Sequence, residues 1–236
     1  MRLNKYLALS GVSSRRMADD LIKAATTTVN NIVITDPAFH VNENDIVRYD
    51  GKNIKINHNH IVIMFNKPLG IITSMDDPRN RPVVADYFPK EMRLFPVGRL
   101  DKNTTGLLLM TNNGDLANKL MHPKNLIPKL YKAEIDMILD AKLISNIKKG
   151  IFIGYNQWAK AKIINQKKVK SRILVTLQLH HGKNREIRRL FNKINRKLFS
   201  LNRFKYGDLE LGNLPLGKYR ELNKRELNKV QRSLND

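Results

Sequence analysis

Apolar residues near the N-terminus recur at a spacing that predicts two short helices. Ser10-Gly11 would end the first helix, because glycine accepts a left-handed C-terminal conformation without steric cost. Ser13 or Ser14 can begin the second helix by accepting a hydrogen bond from a free backbone N–H. The inner faces of the two helices would be formed by Leu3, Leu7, Ala18, Leu21 and Ile22.

Runs of β-branched residues follow these helices and predict short strands. They cover residues 28–29, 32–34 and 45–49, and the turn Asp50-Gly51 closes the last of them. The polar residues 57–60, Asn-His-Asn-His, predict a linker to a second domain. A solvated linker explains the two histidines better than a metal site does, because no cysteine and no neighbouring acid could complete a ligand set.

Beyond the linker, strand-like and helix-like segments are mixed without regular alternation. Residues 61–65 form a continuous apolar run, which is typical of a buried strand. A doubly wound sheet would need strands and helices in turn, so we predict an α+β fold, with a small domain over 1–57 and a larger one over 61–236. The other patterned segments are a strand at 173–179 and helices at 114–121, at 184–192 and from Asn223.

Composition limits the class of protein. The chain has no cysteine, which excludes disulfides, thiolate nucleophiles and zinc sites built on cysteine. Its first residues are too polar for a signal peptide, and no stretch approaches the roughly 20 apolar residues of a membrane span. We therefore expect a soluble, cytoplasmic protein that makes no contact with a membrane. We also expect it to be a monomer.

The charge is strongly positive and unevenly distributed. Lys and Arg number 43 against 21 Asp and Glu, which gives a net charge of +22. Residues 141–207 hold 18 of the cations and a single acid, Glu186, so this segment alone supplies +17. Compositional drift in an AT-rich genome would spread lysines evenly along the chain. The distribution instead predicts a basic surface for a polyanion, with nucleic acid as the first candidate.

An acid between two cations marks the loop over residues 98–106. Asp101 stands between Arg99 and Lys102, and Gly98 and Gly106 bound the loop. Glycine allows a sharp turn and the close approach of a ligand, while adjacent cations favour an ionised carboxylate. From the residues alone, a surface turn with a local ion pair explains the loop equally well, so both interpretations stay open.

The N-terminal helices resemble the S4-like RNA-binding domain. The chain departs from that pattern at residues 25–31, where two glycines are usual and none is present. The resemblance implies RNA binding, in which we give a role to Lys5, Arg15 and Arg16. The matching residues are Arg2, Leu3, Lys5, Leu7, Gly11, Ser14, Arg15, Arg16, Ala18, Leu21 and Ile22.

The loop around Asp101 resembles the G-R-L-D-x-x-(T/S)-x-G-L-L-L-x-T-N-(D/N)-G motif of pseudouridine synthases of the RluA and RsuA families. Residues 66–70 are similar to the N-K-P-x-G motif of those families, and residues 117–123 and 182–191 match the RsuA/RluB branch. The resemblance implies an isomerase that converts a uridine of ribosomal RNA to pseudouridine without cofactor or metal. It also implies a catalytic domain with a mixed, mainly antiparallel sheet.

The resemblance also implies roles for individual residues. Asp101 would be the nucleophile or base, Tyr131 would stack on the extruded uracil, and Arg188 would orient Asp101 through a bidentate pair. The choice of Arg188 over its neighbouring arginines comes from the family pattern. Cations that would bind RNA phosphates in this domain are Arg99, Lys102, Lys183, Arg185 and Arg189.

Two other classes of protein compete with this interpretation. A non-catalytic RNA-binding or ribosome-assembly factor would fit the charge and the S4-like part equally well. An RNA methyltransferase would need a Gly-rich loop after a first strand, and the sequence has none. The RluB-like ending favours 23S RNA of the large subunit over the small-subunit RNA as the substrate.

Overall fold

The computed structural model describes residues 1–234, which form two compact units. One unit is Met1–His60 and the other begins at Ile61. The last two residues of the domain predicted over 61–236 lie outside the described part of the chain. None of the helices in that part is long and apolar enough to cross a membrane.

In the N-terminal unit, two helices pack on a small antiparallel sheet. Ser14 is the residue that caps the second helix, since its hydroxyl accepts from the Met17 N–H at 3.2 Å. Gly11 follows the first helix at φ 80°, as predicted. The elements are α1 (Leu3–Leu9), α2 (Arg15–Lys23), β1 (Thr27–Val29), β2 (Ile32–Val33), β3 (Val47–Tyr49) and β4 (Lys52–Asn53), with the strands in the order β2-β1-β3-β4.

The turn after α2 adopts left-handed conformations although its sequence has no glycine. The Ala25 N–H donates to the Ile22 carbonyl and the Thr26 N–H to the Leu21 carbonyl, which is the pattern of a Schellman cap. Ala25 has φ 58°, a value that costs an L-residue with a Cβ about 1–2 kcal/mol. The chain therefore makes this turn without glycine, and the left-handed Ala25 carries the energetic cost.

The second unit is built on one large sheet. Its strands are β5 (Val62–Lys67), β6 (Phe95–Val97), β7 (Thr105–Thr111), β8 (Lys129–Ile135), β11 (Lys162–Val169), β12 (Arg172–Leu179), β13 (Leu198–Tyr206), β14 (Leu209–Glu210) and β15 (Tyr219–Glu221). A separate hairpin is formed by β9 (Ile151–Phe152) and β10 (Trp158–Ala159). The α-helices are α3 (Gly114–Met121), α4 (Ala141–Lys149), α5 (Glu186–Lys193) and α6 (Lys224–Arg232), and short 3-10 helices lie at Val84–Tyr87, Lys90–Met92 and Pro123–Asn125.

The sheet runs in the order β11-β12-β8-β13-β7-β5-β15, with β14 beside β13 and β6 beside β7. Its strand pairs are antiparallel except β13 with β7, so the prediction of a mixed, mainly antiparallel sheet is confirmed. The central strands are buried on both faces. Ile63 and Phe65 of β5 point into one apolar cluster, while Val62 and Met64 point into another. Burial on both faces explains the continuous apolar run at 61–65.

The helix predicted at 184–192 begins two residues later than expected. Arg185 has φ 49°, a left-handed conformation, and acts as the N-cap of α5. The buried face of α5 is formed by Ile187, Leu190 and Phe191, as the spacing predicts. The predicted C-terminal helix also forms, because the Asn223 side chain accepts from the Glu226 N–H at 3.0 Å and caps α6.

Ala25→Gly is expected to stabilise the N-terminal unit. Glycine removes the left-handed penalty at φ 58° but adds backbone entropy to the unfolded chain, so the net gain should be about 0.5–1 kcal/mol. The measurement is the thermal unfolding midpoint of the full chain. Ala24→Gly is the matched control, since Ala24 has φ −77° and should lose stability on substitution. Equal shifts for the two variants would contradict this account of the turn.

Candidate active site

The loop that carries Asp101 lies on a buried lysine. Lys67 ends β5 with its side chain fully buried, and its Nζ donates to the Thr104 carbonyl at 3.0 Å and to the Pro68 carbonyl at 2.9 Å. Burial lowers the pKa of Lys67 to about 8, although the Asp101 carboxylate acts to raise it. Sequence reasoning gave Lys67 no role. The available signal was a charged residue at the end of an otherwise apolar strand.

Backbone and hydroxyl groups hold the other side of the loop. The Thr73 hydroxyl donates to the Leu100 carbonyl at 2.8 Å, and the Gly70 N–H donates to the Lys102 carbonyl at 2.9 Å. Thr73 is buried, so its contact with Leu100 is shielded from water. Residues on both sides of Asp101 are therefore fixed, and the backbone at Asp101 is held in one place.

Arg188 on α5 lies beside the Asp101 carboxylate. Its Nε is 3.8 Å from Asp101 Oδ2, and the Asp101 side chain is 28% exposed. The other end of the guanidinium donates to the Asn103 carbonyl and to the Thr104 hydroxyl. Because this end is engaged by the loop backbone, the contact with Asp101 is an ion pair and the predicted bidentate pair is absent. Burial lowers the pKa of the Arg188 guanidinium, Asp101 acts to raise it, and Arg185 acts to lower it.

Gly106 ends the loop where β13 passes closest to it. Gly106 has φ 105°, and a Cβ at this position would lie 2.2 Å from the Arg203 carbonyl oxygen. The register of β7 and β13 places Arg203 directly beside Gly106. Glycine is needed here for the approach of a neighbouring strand. Gly98, at the other end, has φ 74° with open space around its Cα, so it serves the turn.

An open cleft lies in front of Asp101. Tyr131 of β8 lines it with a side chain that is 8% exposed, and Glu186 lines it as a buried acid. One Glu186 oxygen accepts from the Lys183 N–H at 2.9 Å, and the other has no hydrogen-bond partner among the described residues. Sequence reasoning gave Glu186 no role, since it was only the lone acid of a basic segment. The predicted site residues that line the cleft are Arg99, Asp101, Tyr131, Lys183, Arg185 and Arg188.

Arg189 does not line the cleft, although it follows Arg188 directly. Its five hydrogen bonds, at 2.7–3.0 Å, go to the carbonyls of Ile153, Gly154 and Asn184 and to the Gln157 side chain. A guanidinium has five N–H donors, so the contacts with the β9–β10 hairpin and with Asn184 use all of them. This geometry supports a structural role for Arg189.

The remaining predicted cations lie elsewhere. Lys102 is exposed beside Asp101 but does not line the cleft. Arg15 and Arg16 are exposed at the start of α2, and Lys5 is partly exposed on α1, all in the N-terminal unit. Within residues 1–234, no cluster of His, Asp and Glu could hold a metal ion.

Comparison with known proteins matches both units. Residues 61–193 match the family described as RNA pseudouridylate synthase, and residues 1–47 match the S4 domain. The chain is 38% identical over 233 residues to the ribosomal large subunit pseudouridine synthase B of Bacillus subtilis (strain 168), a match that covers 98% of this chain and 95% of the relative.

Two further similarities extend over almost the whole chain. An uncharacterized RNA pseudouridine synthase of Aquifex aeolicus (strain VF5) is 36% identical, with 96% of this chain and 92% of the relative covered. The crystal structure of a pseudouridylate synthase superposes with a TM-score of 0.69 at 25% identity. It covers 98% of this chain and 99% of that one.

Gly106→Ala is expected to destabilise the second unit by about 3 kcal/mol or more. The new methyl group would overlap the Arg203 backbone and force a left-handed alanine. Gly98→Ala is the matched control, because it meets the same kind of φ in open space and should cost about 1 kcal/mol. Urea unfolding of both variants measures the difference. Similar losses would mean that the approach of β13 to Gly106 is not what requires glycine.

Proposed function

This chain belongs to the RNA pseudouridylate synthase family, with an S4 domain at its N-terminus, and we propose that it isomerises one uridine of ribosomal RNA to pseudouridine. The resemblance seen in the sequence is confirmed by these matches and by the relatives that cover the whole chain. The observation that carries the proposal is the Asp101 carboxylate, which lies 3.8 Å from Arg188 Nε in a cleft that Tyr131 also lines.

The reaction rearranges one nucleotide without adding or removing atoms. The C1′–N1 glycosidic bond breaks, the uracil turns, a C1′–C5 bond forms, and the proton on carbon 5 moves to N1. Asp101 either attacks C1′ or removes a ribose proton, and each route needs an ionised carboxylate close to the ribose. A cation near the carboxylate stabilises that charge, which is the role proposed for Arg188.

Tyr131 is proposed to contact the uracil. Its ring is almost buried in the wall of the cleft, so it presents a fixed aromatic surface on which an extruded base can stack.

The Nε–H of Arg188 is buried and has no hydrogen-bond partner among the described residues. Since catalytic hydrogen bonds often tighten only in the substrate complex, we expect it to approach Asp101 more closely when RNA is bound.

RNA binding is proposed to use the cations around the cleft and on the S4 domain. A uridine in a stacked helix is inaccessible, so the nucleotide must leave the stack at a cost of a few kcal/mol. Contacts with RNA phosphates offset this cost. The cleft is lined by Arg99, Lys183 and Arg185, which can make such contacts. Lys102 is exposed next to Asp101 in the same loop. The S4 domain, through Lys5, Arg15 and Arg16, would hold a nearby stem and help to select the site.

The substrate is proposed to be 23S RNA of the large ribosomal subunit. The Bacillus relative, which matches 98% of this chain, is named a ribosomal large subunit pseudouridine synthase. This similarity supports the assignment. We further propose that the enzyme works as a monomer in the cytoplasm, where ribosomal RNA is available, and that it needs no cofactor.

Asp101→Asn is expected to abolish pseudouridine formation while RNA binding stays the same or becomes slightly tighter. The amide is nearly isosteric but cannot serve as nucleophile or base, and its introduction removes one negative charge from a surface that binds RNA. The measurement is tritium release from 5-tritiated uridine in ribosomal RNA, together with a filter-binding assay.

Asp208→Asn is the matched control for this substitution. Asp208 is an exposed aspartate of the same unit and does not line the cleft, so its loss changes the net charge equally. It should retain wild-type tritium release. If Asp101→Asn released tritium at the wild-type rate, Asp101 would not be the catalytic residue.

Deletion of the gene is expected to remove one pseudouridine from 23S RNA and none from 16S RNA. Carbodiimide-blocked primer extension on RNA from the wild-type and the deletion strain identifies the nucleotide at which pseudouridine is lost. Complementation with the wild-type chain should restore the signal, and complementation with Asp101→Asn should not. A loss confined to 16S RNA would overturn the subunit assignment and leave the reaction itself standing.

A further inference from the structure

The β9–β10 hairpin has one buried face and one exposed aromatic face. Ile153 and Ala159 belong to the apolar core of the second unit. On the opposite face Phe152 is paired across the strands with Trp158, with ring centroids 5.7 Å apart and planes at 60°. Trp158 is 56% exposed and Phe152 is 40% exposed. A solvated hairpin face normally carries polar residues, so these exposed rings need an explanation.

The tip of the hairpin presents a third aromatic ring in a strained conformation. Tyr155 is 89% exposed and has φ 52°, next to Asn156 at φ 51°. Two successive positive φ values are typical of a type I′ turn, in which Asn-Gly is preferred. The ring contact that the structure shows for Tyr155 is the Arg189 guanidinium, 5.1 Å from the ring centroid. A bulky residue that is strained yet exposed points to a function outside the fold.

The hairpin is fixed to the edge of the active-site cleft. Arg189 uses all five of its N–H donors, four on the hairpin and its turn and one on Asn184. Lys183, which lines the cleft, donates from Nζ to the Trp158 carbonyl. Since α5 carries both Arg189 and Arg188, one helix positions the hairpin and the partner of Asp101.

Positive charges flank the hairpin in the sequence. Lys148 and Lys149 lie at the end of α4 just before β9, Lys160 directly follows β10, and Lys162 begins β11; all four are exposed. Between residues 141 and 185 the sequence contains no acid. A protein partner docking on the aromatic face would have to come close to four lysine charges, whereas an RNA backbone would be attracted by them.

We propose that the exposed rings of the hairpin, Phe152 and Trp158 on its outer face and Tyr155 at its tip, form a stacking platform for unpaired bases that flank the target uridine. Aromatic rings beside cations bind single-stranded nucleic acid because every base has a face that can stack. The platform would hold the neighbours of the extruded nucleotide and so favour sites in loops over sites in regular helices. This inference rests on the proposed function, since it assigns the surface to the same RNA.

Trp158 provides a direct test, because it is the only tryptophan in the chain. Stacking of a base on its exposed ring should quench its fluorescence when a short single-stranded RNA of mixed sequence is added to the full-length protein. The same sequence as a perfect duplex should quench it much less at equal occupancy. Unchanged fluorescence with single-stranded RNA that is bound by filter assay would overturn the proposal and leave a protein partner as the occupant.

Substitutions separate aromatic stacking from general packing. Trp158→Leu and Tyr155→Leu should each weaken binding of the single-stranded RNA by roughly five- to 150-fold, the range for loss of one stacked base. Trp158→Phe and Tyr155→Phe keep a ring and should retain most of the affinity. Phe199→Leu is the control, since Phe199 is as exposed as Phe152 and also contacts an arginine, Arg172 at 4.2 Å, but it belongs to β13 and not to the hairpin. Equal losses in all the leucine variants would overturn the proposal.

Activity measurements distinguish failure of this inference from failure of the proposed function. With ribosomal RNA, the hairpin variants should raise KM and leave kcat close to wild type, because stacking of flanking bases is kept from the bound complex to the transition state. If the wild-type chain released no tritium from ribosomal RNA, the proposed function would be wrong. The fluorescence and binding results with the short RNA would still decide the role of the hairpin.

Discussion

The cleft depends on the parallel pairing of β13 with β7 at Gly106. In the sheet of the described residues, this pairing joins two halves, β11-β12-β8-β13 and β7-β5-β15. Tyr131 belongs to β8 in the first half. The loop that carries Asp101 leads into β7, which belongs to the second half. The register sets Arg203 beside Gly106, so the halves meet where the loop ends. A side chain at position 106 would push them apart, because the Arg203 backbone occupies the place of its Cβ.

A buried and a half-buried cation, Lys67 and Arg188, hold the loop at an electrostatic cost. An ammonium group taken out of water is unfavourable unless its donors are satisfied, and Lys67 has the carbonyls of Pro68 and Thr104. Arg188 reaches the same part of the loop from α5 and donates to its backbone. Both cations also interact with Asp101. The carboxylate is therefore stabilised by the groups that hold its backbone, and position and charge are set together.

The sequence predicted the parts of this fold that depend on local pattern. The helices with clear apolar spacing formed, and residues 61–65 proved to be a strand buried on both faces. The start of α5 was misplaced because Arg185 adopts a left-handed conformation that nothing in its neighbours indicates. The parallel pairing of β13 with β7 joins segments about a hundred residues apart, so no local pattern could reveal it. The family resemblance supplied Asp101, Tyr131 and Arg188, and their roles stay predictions.

The arginines of α5 illustrate why spacing alone could not divide their roles. Successive residues on a helix point about 100° apart, so Arg188 and Arg189 must face different neighbours. Which neighbours they face is decided by the rotation of the helix, and this is fixed by the buried side chains of Leu190 and Phe191. That rotation directs Arg188 to Asp101 and Arg189 to the hairpin. Because Arg188 and Arg189 lie on the same packed helix, the position of Arg188 beside Asp101 is coupled to the position of the hairpin that Arg189 holds.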